Sequence, residues 1–453
     1  MNTFPRFMIA GLAGDSGKSL VSIGLARACR RQGRRVSGFK KGPDFIDAAW
    51  LGAATGSPGR NLDSFMMPAA AILRSLADAS KAHDLAIVEG NRGLFDGLDV
   101  QGTHSSAALA KLIGAPVVLV LDASKATRTL AAYVLGCRAM DPDLPIAGVI
   151  LNRVATARQE RLVRQVLDNV ARIPVLGAIP RLQEDVLPSR QLGLVTPVEH
   201  PDRESVIERL ADLMLRFVDL PTLLRVAGSA PPVSIEPVRT VRSDPRVRVA
   251  ILRDQAFSFY YPENLIALEE AGATLVPLSP LNDEAMPDVD ALYGGGGFPE
   301  RYAAQLAANE SLRAALAETI ADGLPVWAEC GALMYLSRAI VCDGTAYPMV
   351  GAVPVTVEQS ARPKGHGYVE AEVDSENPFL ARGLHIRGHE FHYSAVTEDS
   401  SQFRTTLALT RGTGLGGRRD GLLAKDVFAS YTHIHALGVP SWAPSLVRAA
   451  LQR

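Results

Sequence analysis

The feature that most restricts this chain is the rhythm of its apolar segments. Short continuous runs rich in Val, Ile, Leu and Ala alternate with helix-like stretches. A strand that is apolar on both faces needs cover on both faces, so such runs belong to a parallel sheet sandwiched between helices. Residues 7–11 read as a strand and 19–32 as a helix ending at Gly33, with further strands expected at 36–39, 85–89, 116–121, 147–151 and 175–178. The pattern lapses over 228–245, a stretch rich in Pro, Ser and Val that reads as a linker. It then restarts with strands at 248–252, 274–277, 291–293 and 326–329 and a helix at 262–271, while 349–372 and 403–429 look β-rich. The expected fold is α/β: two doubly wound domains, 1–227 and 246–453.

Composition narrows the classes further. Forty-seven Lys+Arg against 48 Asp+Glu leave a net charge of −1, which argues against a chain built mainly to neutralise nucleic-acid phosphates. No apolar run reaches the roughly 20 residues of a spanning helix, and residues 1–7 lack a signal-peptide layout. Cys29, Cys137, Cys330 and Cys342 contain no CxxC pair, so neither a disulfide framework nor a zinc module is expected. These features together point to a soluble cytoplasmic protein that binds neither nucleic acid nor membrane.

Gly11-Leu12-Ala13-Gly14-Asp15-Ser16-Gly17-Lys18-Ser19 falls between the first strand and the first helix. Glycines let backbone N–H groups curl around phosphate oxygens, the helix start adds a favourable dipole, Lys18 supplies positive charge and Ser19 a Mg²⁺ ligand. Five residues separate Gly11 from Gly17 where the usual phosphate loop has four, so this is a variant of it. Two acidic clusters follow later strands: Asp44 and Asp47 after Lys40-Lys41, and Glu89, Asn91, Arg92 and Asp96 after the strand 85–89. Carboxylates at the carboxyl ends of parallel strands stand where ligands bind in open α/β sheets and are placed to hold Mg²⁺. The plainer reading of Asp44 and Asp96 is as cap or turn residues beside glycines.

Pro325-Val326-Trp327-Ala328-Glu329-Cys330-Gly331 reads as strand, sharp turn and helix, an elbow that lifts a side chain above the sheet. A helix start there would lower the thiol pKa, giving Cys330 the setting of a nucleophile. Its base is expected in Ser430-Tyr431-Thr432-His433-Ile434-His435, where both histidines would point the same way on an extended strand. The glycines at 294–297 could furnish an oxyanion hole. His389 and His392 form an HxxH with no third ligand, better suited to a structural or substrate-facing role than to a metal.

These motifs, with Arg60-Asn61-Leu62-Asp63, the segments 148–153 and 256–264, Gly294 through Glu300 and 387–394, occur in one order. In that order the chain resembles the cobyrinic acid a,c-diamide synthase family, ATP- and glutamine-dependent amidases of tetrapyrrole biosynthesis. The resemblance covers nearly the whole chain and implies a dethiobiotin-synthetase-like ATP domain followed by a class I glutamine amidotransferase domain. It implies Cys330 as glutaminase nucleophile and His433 as the residue that activates it. His435 stands where most class I members carry a Glu, so a Cys-His dyad is implied. Gly14, Asp15, Ser16, Gly17, Lys18 and Ser19 would hold ATP; Ser19, Asp44 and Glu89 would hold Mg²⁺; Asp44, Asp47, Asn91, Arg92 and Asp96 would face a tetrapyrrole polycarboxylate. A homodimer is left open. Gly90-Asn91-Arg92-Gly93 stands where many corrin-amidating members have Gly-Val-Met-Gly, and sirohaem or nickel-sirohydrochlorin is the alternative substrate.

Overall fold

The computed structural model describes residues 4–183, 186–187, 189–190, 193–233 and 243–453. The chain divides into two compact units, one comprising 1–64 and 68–237, the other 65–67 and 238–453. Of the expected linker, 234–242 lies outside the described residues. The stretch just before that gap is not free chain: the buried Arg6 guanidinium donates to the carbonyl of Pro231 (2.7 Å) as well as to those of Phe4 and Ile113. It thereby ties the end of the helix Leu220–Gly228 to the first strand.

In the first unit seven strands, β1 (Arg6–Gly11), β2 (Val36–Lys41), β3 (Arg60–Leu62), β4 (Leu85–Glu89), β5 (Val117–Asp122), β6 (Ile146–Val154) and β7 (Val175–Pro180), form one sheet in the order β3-β2-β4-β1-β5-β6-β7. Every pairing is parallel. β1, β2 and β4 are buried from end to end, as strands in the middle of a doubly covered sheet are, although β2 carries Ser37, Lys40 and Lys41 and β4 ends at Glu89. Helix α1 (Lys18–Arg31) packs on the helix Arg203–Phe217. Gly24 permits the approach, since a Cβ there would lie 2.7 Å from the Leu210 carbonyl oxygen. Arg27 then reaches Glu204 and Glu208 across the contact.

The second unit holds a nine-stranded mixed sheet. Its order is Ala273–Leu278, Val247–Leu252, Ala291–Gly294, Val326–Glu329, Val427–Ser430, Arg419–Ala424, Thr405–Arg411, Gly365–Val373, His385–His392. The first five strands pair in parallel. The remaining four continue as an antiparallel extension, where the β-rich signal at 403–429 and the end of the one at 349–372 fall. A smaller four-stranded sheet takes one strand, Thr356–Gln359, from the start of that earlier stretch. The strand Val326–Glu329 shows why its sequence is apolar without alternation. Val326 and Ala328 pack into one core, while Trp327 packs into the other, stacked on Phe428 at 4.2 Å. Among the described residues no helix is long and apolar enough to cross a membrane.

Candidate active sites

β1 is the turning point of the first sheet, with β4 on one side and β5 on the other, and the glycine loop leaves its carboxyl end. The loop is shaped by left-handed residues: Asp15 has φ +55° and Gly17, which precedes α1, φ +97°. Gly17 is required twice over, because a Cβ there would also lie 2.1 Å from Asn152 Nδ2. That amide, at the end of β6, donates to the Ser16 carbonyl at 3.0 Å and holds the loop from outside. Lys18 Nζ folds back onto the Ala13 carbonyl at 2.8 Å, the posture of a lysine cradled by its own loop. Burial, then the charge of Lys40, push the Lys18 pKa down.

The acidic clusters separate into distinct jobs. Ser19 Oγ donates to Glu89 Oε1 at 2.7 Å, and Lys40 Nζ reaches the same oxygen at 2.7 Å and Asp47 Oδ2 at 2.5 Å. Burial works against the Lys40 ammonium, but Asp47 and Glu89 outweigh it and raise its pKa. Burial likewise raises the Glu89 carboxyl, to about 7, with Lys40 opposing. Asp44 has a local role: it caps helix α2 (Phe45–Thr55), its Oδ1 accepting from the N–H groups of Ile46 (2.8 Å) and Asp47 (3.0 Å). An Asp one residue before a helix is a strong N-cap. No group of three or more His, Cys, Asp or Glu among the described residues is arranged to hold a metal ion.

Asp96 is a turn residue whose Oδ2 accepts from the Gly93 N–H at 2.9 Å. Arg92 is exposed at φ +51°, and Asn91 is fixed through its main chain to Ser106 Oγ. Sequence reasoning passed over Lys40 as the centre of the acidic cluster and Asn152 as the loop's clamp. The second lies within the segment 148–153, but nothing in its spacing tells that its amide points at residue 16.

In the second unit Cys330 sits at φ +49° and ψ −98° between the strand Val326–Glu329 and the six-residue helix Gly331–Leu336. A non-glycine residue in that conformation is strained by about 1–3 kcal/mol, the mark of a nucleophile elbow. Its N–H donates to the Ser430 carbonyl at 2.7 Å. The expected depression of the thiol pKa is reversed. Burial first, then the charges of Glu300 and Glu329, push it well above the ordinary thiol value, and so short a helix does not compensate. That shift favours the protonated thiol, so attack by sulfur calls for a base.

The chain carrying the histidines leaves the sheet at Ser430, so His433 and His435 do not share an extended strand and face different surroundings. His433 Nδ1 lies 3.3 Å from Glu329 Oε2, whereas His435 Nε2 lies 3.6 Å from Glu263 Oε2. The other edge of the His433 ring borders the glycine segment: a Cβ at Gly296 would lie 2.7 Å from Cε1 and 3.3 Å from Nε2. The elbow borders the same segment, since a Cβ at Gly331 would lie 3.0 Å from the Gly297 nitrogen. The imidazole and the turn after Cys330 thus both border one stretch of bare backbone at 296–297.

Several groups lock His433 in place. It forms an antiparallel bridge with His389, and the two rings stack at 4.9 Å. Asp420 takes the N–H groups of Tyr431 and Thr432, and Asn264 pins Ile434 and Ala436 through its amide. Burial, then His433 and His435, hold His389 well below the ordinary histidine pKa, so it is neutral. His392 stacks on Tyr431 and contacts Glu390, which satisfies the N–H groups of Thr413 and Gly414. The two rings of the HxxH thus engage separate partners, His389 with His433 and His392 with Tyr431 and Glu390.

Two sites of this kind on one chain, a phosphate loop and a cysteine elbow, have counterparts among known proteins. Residues 7–194 match the CobQ/CobB/MinD/ParA nucleotide binding domain and 248–440 the CobB/CobQ-like glutamine amidotransferase domain. A cobyrinate a,c-diamide synthase of Magnetococcus marinus is 41% identical over 98% of this chain and 97% of its own. One of Archaeoglobus fulgidus is 39% identical over 99% and 98%. The chain belongs to the cobyrinate a,c-diamide synthase family. It is accordingly a carbon–nitrogen ligase of the glutamine amidotransferase kind, with an ATP-binding N-terminal domain. Among solved structures, PurLQS from Thermotoga maritima aligns with 46% of this chain and 99% of its own at 17% identity and a TM-score of 0.37, too loose a likeness to add to the argument.

Proposed function

We propose that this enzyme converts the a and c acetate carboxylates of cobyrinic or hydrogenobyrinic acid to amides, with ammonia cut from glutamine at Cys330. The observation that supports it most is the elbow: a strained, buried Cys330 and an imidazole held against one glycine segment. With its Nδ1 edge facing a carboxylate, His433 is the group assigned to take the thiol proton, through Nε2. The thiolate then attacks the glutamine amide carbon, ammonia departs carrying that proton, and water hydrolyses the thioester to glutamate. Backbone N–H groups of the glycine segment and the elbow are the candidates for stabilising the oxyanion.

A carboxylate does not exchange oxide for ammonia, so the acid must first be activated, and an acyl phosphate formed with ATP serves that purpose. Lys18 would offset charge on the transferring phosphoryl group, while Gly14, Asp15, Ser16 and Gly17 present backbone to the phosphates. Mg²⁺ fits the pair Ser19 and Glu89: Glu89 Oε2 is buried without a hydrogen-bond partner among the described residues, and its neighbour is a hydroxyl. When bound, the ion neutralises phosphate charge. Asp47, tied to Lys40, and the exposed Arg92 and Asp96 are the candidates for meeting the polycarboxylate.

The test is mass spectrometry of products formed from cobyrinic acid, hydrogenobyrinic acid and sirohaem with glutamine and Mg-ATP. Two acid-to-amide conversions on a corrin alone support the reading. Amidation of sirohaem alone refutes it and directs attention to Asn91 and Arg92.

A further inference from the structure

Class I amidotransferases commonly orient their histidine with a Glu two positions beyond it, and here that position is His435. It cannot take over the task, because a second histidine offers no permanent negative charge and its ring is turned to a carboxylate of its own, Glu263. The structure nonetheless brings a carboxylate to His433. Glu329, the residue before the nucleophile, lies with Oε2 3.3 Å from His433 Nδ1, and both side chains are almost wholly buried. Its other oxygen accepts from Trp327 Nε1 at 2.9 Å, two residues back on the same strand, which fixes the plane of the carboxylate.

A buried charge is retained only where something answers it, and His433 is the group that can acquire a positive charge beside Glu329. We propose that Glu329 is the positioning residue of the glutaminase, supplying from the nucleophile's own strand the carboxylate missing after His433. The inference rests on the glutaminase reading of Cys330. Glu329 holds the imidazole with its proton on Nδ1, leaving Nε2 to accept from the thiol, and it stabilises the imidazolium once that proton has moved. No atoms are exchanged by Glu329 itself. The arrangement is compact in sequence as well: one residue aims the base and the next attacks.

The decisive comparison is glutamine-driven against ammonia-driven amidation in Glu329→Gln, Glu329→Asp and Cys330→Ala. For Glu329→Gln, which keeps the shape and loses the charge, glutamine-driven kcat should fall on the order of 10²- to 10⁴-fold, as when the carboxylate of a comparable triad is neutralised. The KM for glutamine and the ammonia-driven rate should stay near wild type, and Glu329→Asp should recover part of the loss. The downfield proton resonance of His433 Nδ1 should vanish in Glu329→Gln. The proposal is overturned if Glu329→Gln keeps near-normal glutamine-driven kcat, or if both nitrogen sources fail together, which marks a structural role. Cys330→Ala separates the two levels of inference. Should it retain glutamine-driven turnover, the glutaminase reading itself fails, whatever Glu329 does.

Discussion

Lys40 is the most consequential cation in the first unit, and replacing it with Met tests the electrostatic account of that site. Its side chain is 3% exposed and pairs with Glu89, fully buried, and with Asp47, 15% exposed. Removing one partner of a buried pair leaves an uncompensated charge and costs about 3–5 kcal/mol. Asp47 retains some access to water, so the lower end, about 3 kcal/mol, is expected. For a body of this size, roughly 2–4 °C per kcal/mol translates that into a fall of about 6–12 °C in Tm.

The pH dependence has a definite sign. Glu89 already sits near 7, above its ordinary value of 4.5, and loses a stabilising cation in the variant. Its folded-state pKa therefore rises further, the folded protein holds a proton that the unfolded chain releases, and stability grows as pH falls. The penalty of Lys40→Met should therefore shrink as pH falls from about 9 to about 7, where the wild-type Glu89 also takes up its proton, and level off below. Thermal unfolding followed by circular dichroism across that range, with the exposed Lys81→Met as control, reads it directly. Lys81 is 75% exposed in its pair with Asp78 and should change stability by less than about 0.5 kcal/mol. An unchanged Tm for Lys40→Met, or a penalty that grows on acidification, would refute the reasoning.

Gly17→Ala forces a side chain into a left-handed position and against Asn152, so nucleotide affinity should drop at least tenfold by calorimetry; equal affinity would remove the loop from the ATP site. Gly296→Ala pushes the His433 ring and should cut glutamine-driven turnover at least tenfold while sparing ammonia-driven turnover. Because the Cys330 thiol is raised by burial and by Glu300 and Glu329, its alkylation by iodoacetamide without substrate should keep accelerating with pH beyond that of a free thiol; a plateau near neutrality would contradict the protonated resting state. Asn264→Ala frees the carbonyl of Ile434 and the N–H of Ala436 and should lower glutamine-driven turnover before it lowers Tm, as Tm and kinetics measured together would reveal.

What the sequence made legible is what its residues settle locally. The loop at Gly11–Ser19 lies within nine positions of a strand end and a helix start, and the elbow at Cys330 within five, so spacing alone carries them. The capping role of Asp44 is local too, written in the helix that begins at Phe45. The remaining determinants are products of topology. Asn152 meets Ser16 across 136 residues, and His433 meets Glu329 across 104, because β6 and the strand Val427–Ser430 come to rest where they do. The thiol pKa reversed for the same reason: burial and two carboxylates are properties of the packed unit, while a helix start is visible in the sequence.

The central claim is that one chain runs two chemistries, nitrogen release at Cys330 and carboxylate activation at the Lys18 loop. The most direct measurement follows amidation of cobyrinic acid by mass spectrometry in wild type, Cys330→Ala and Lys18→Ala, each given either glutamine or ammonium salt with Mg-ATP. The account predicts that Cys330→Ala is inactive with glutamine and active with ammonia, and that Lys18→Ala is inactive with both. Equal failure of a folded Cys330→Ala with both nitrogen sources, or near-normal turnover by Lys18→Ala, would contradict it.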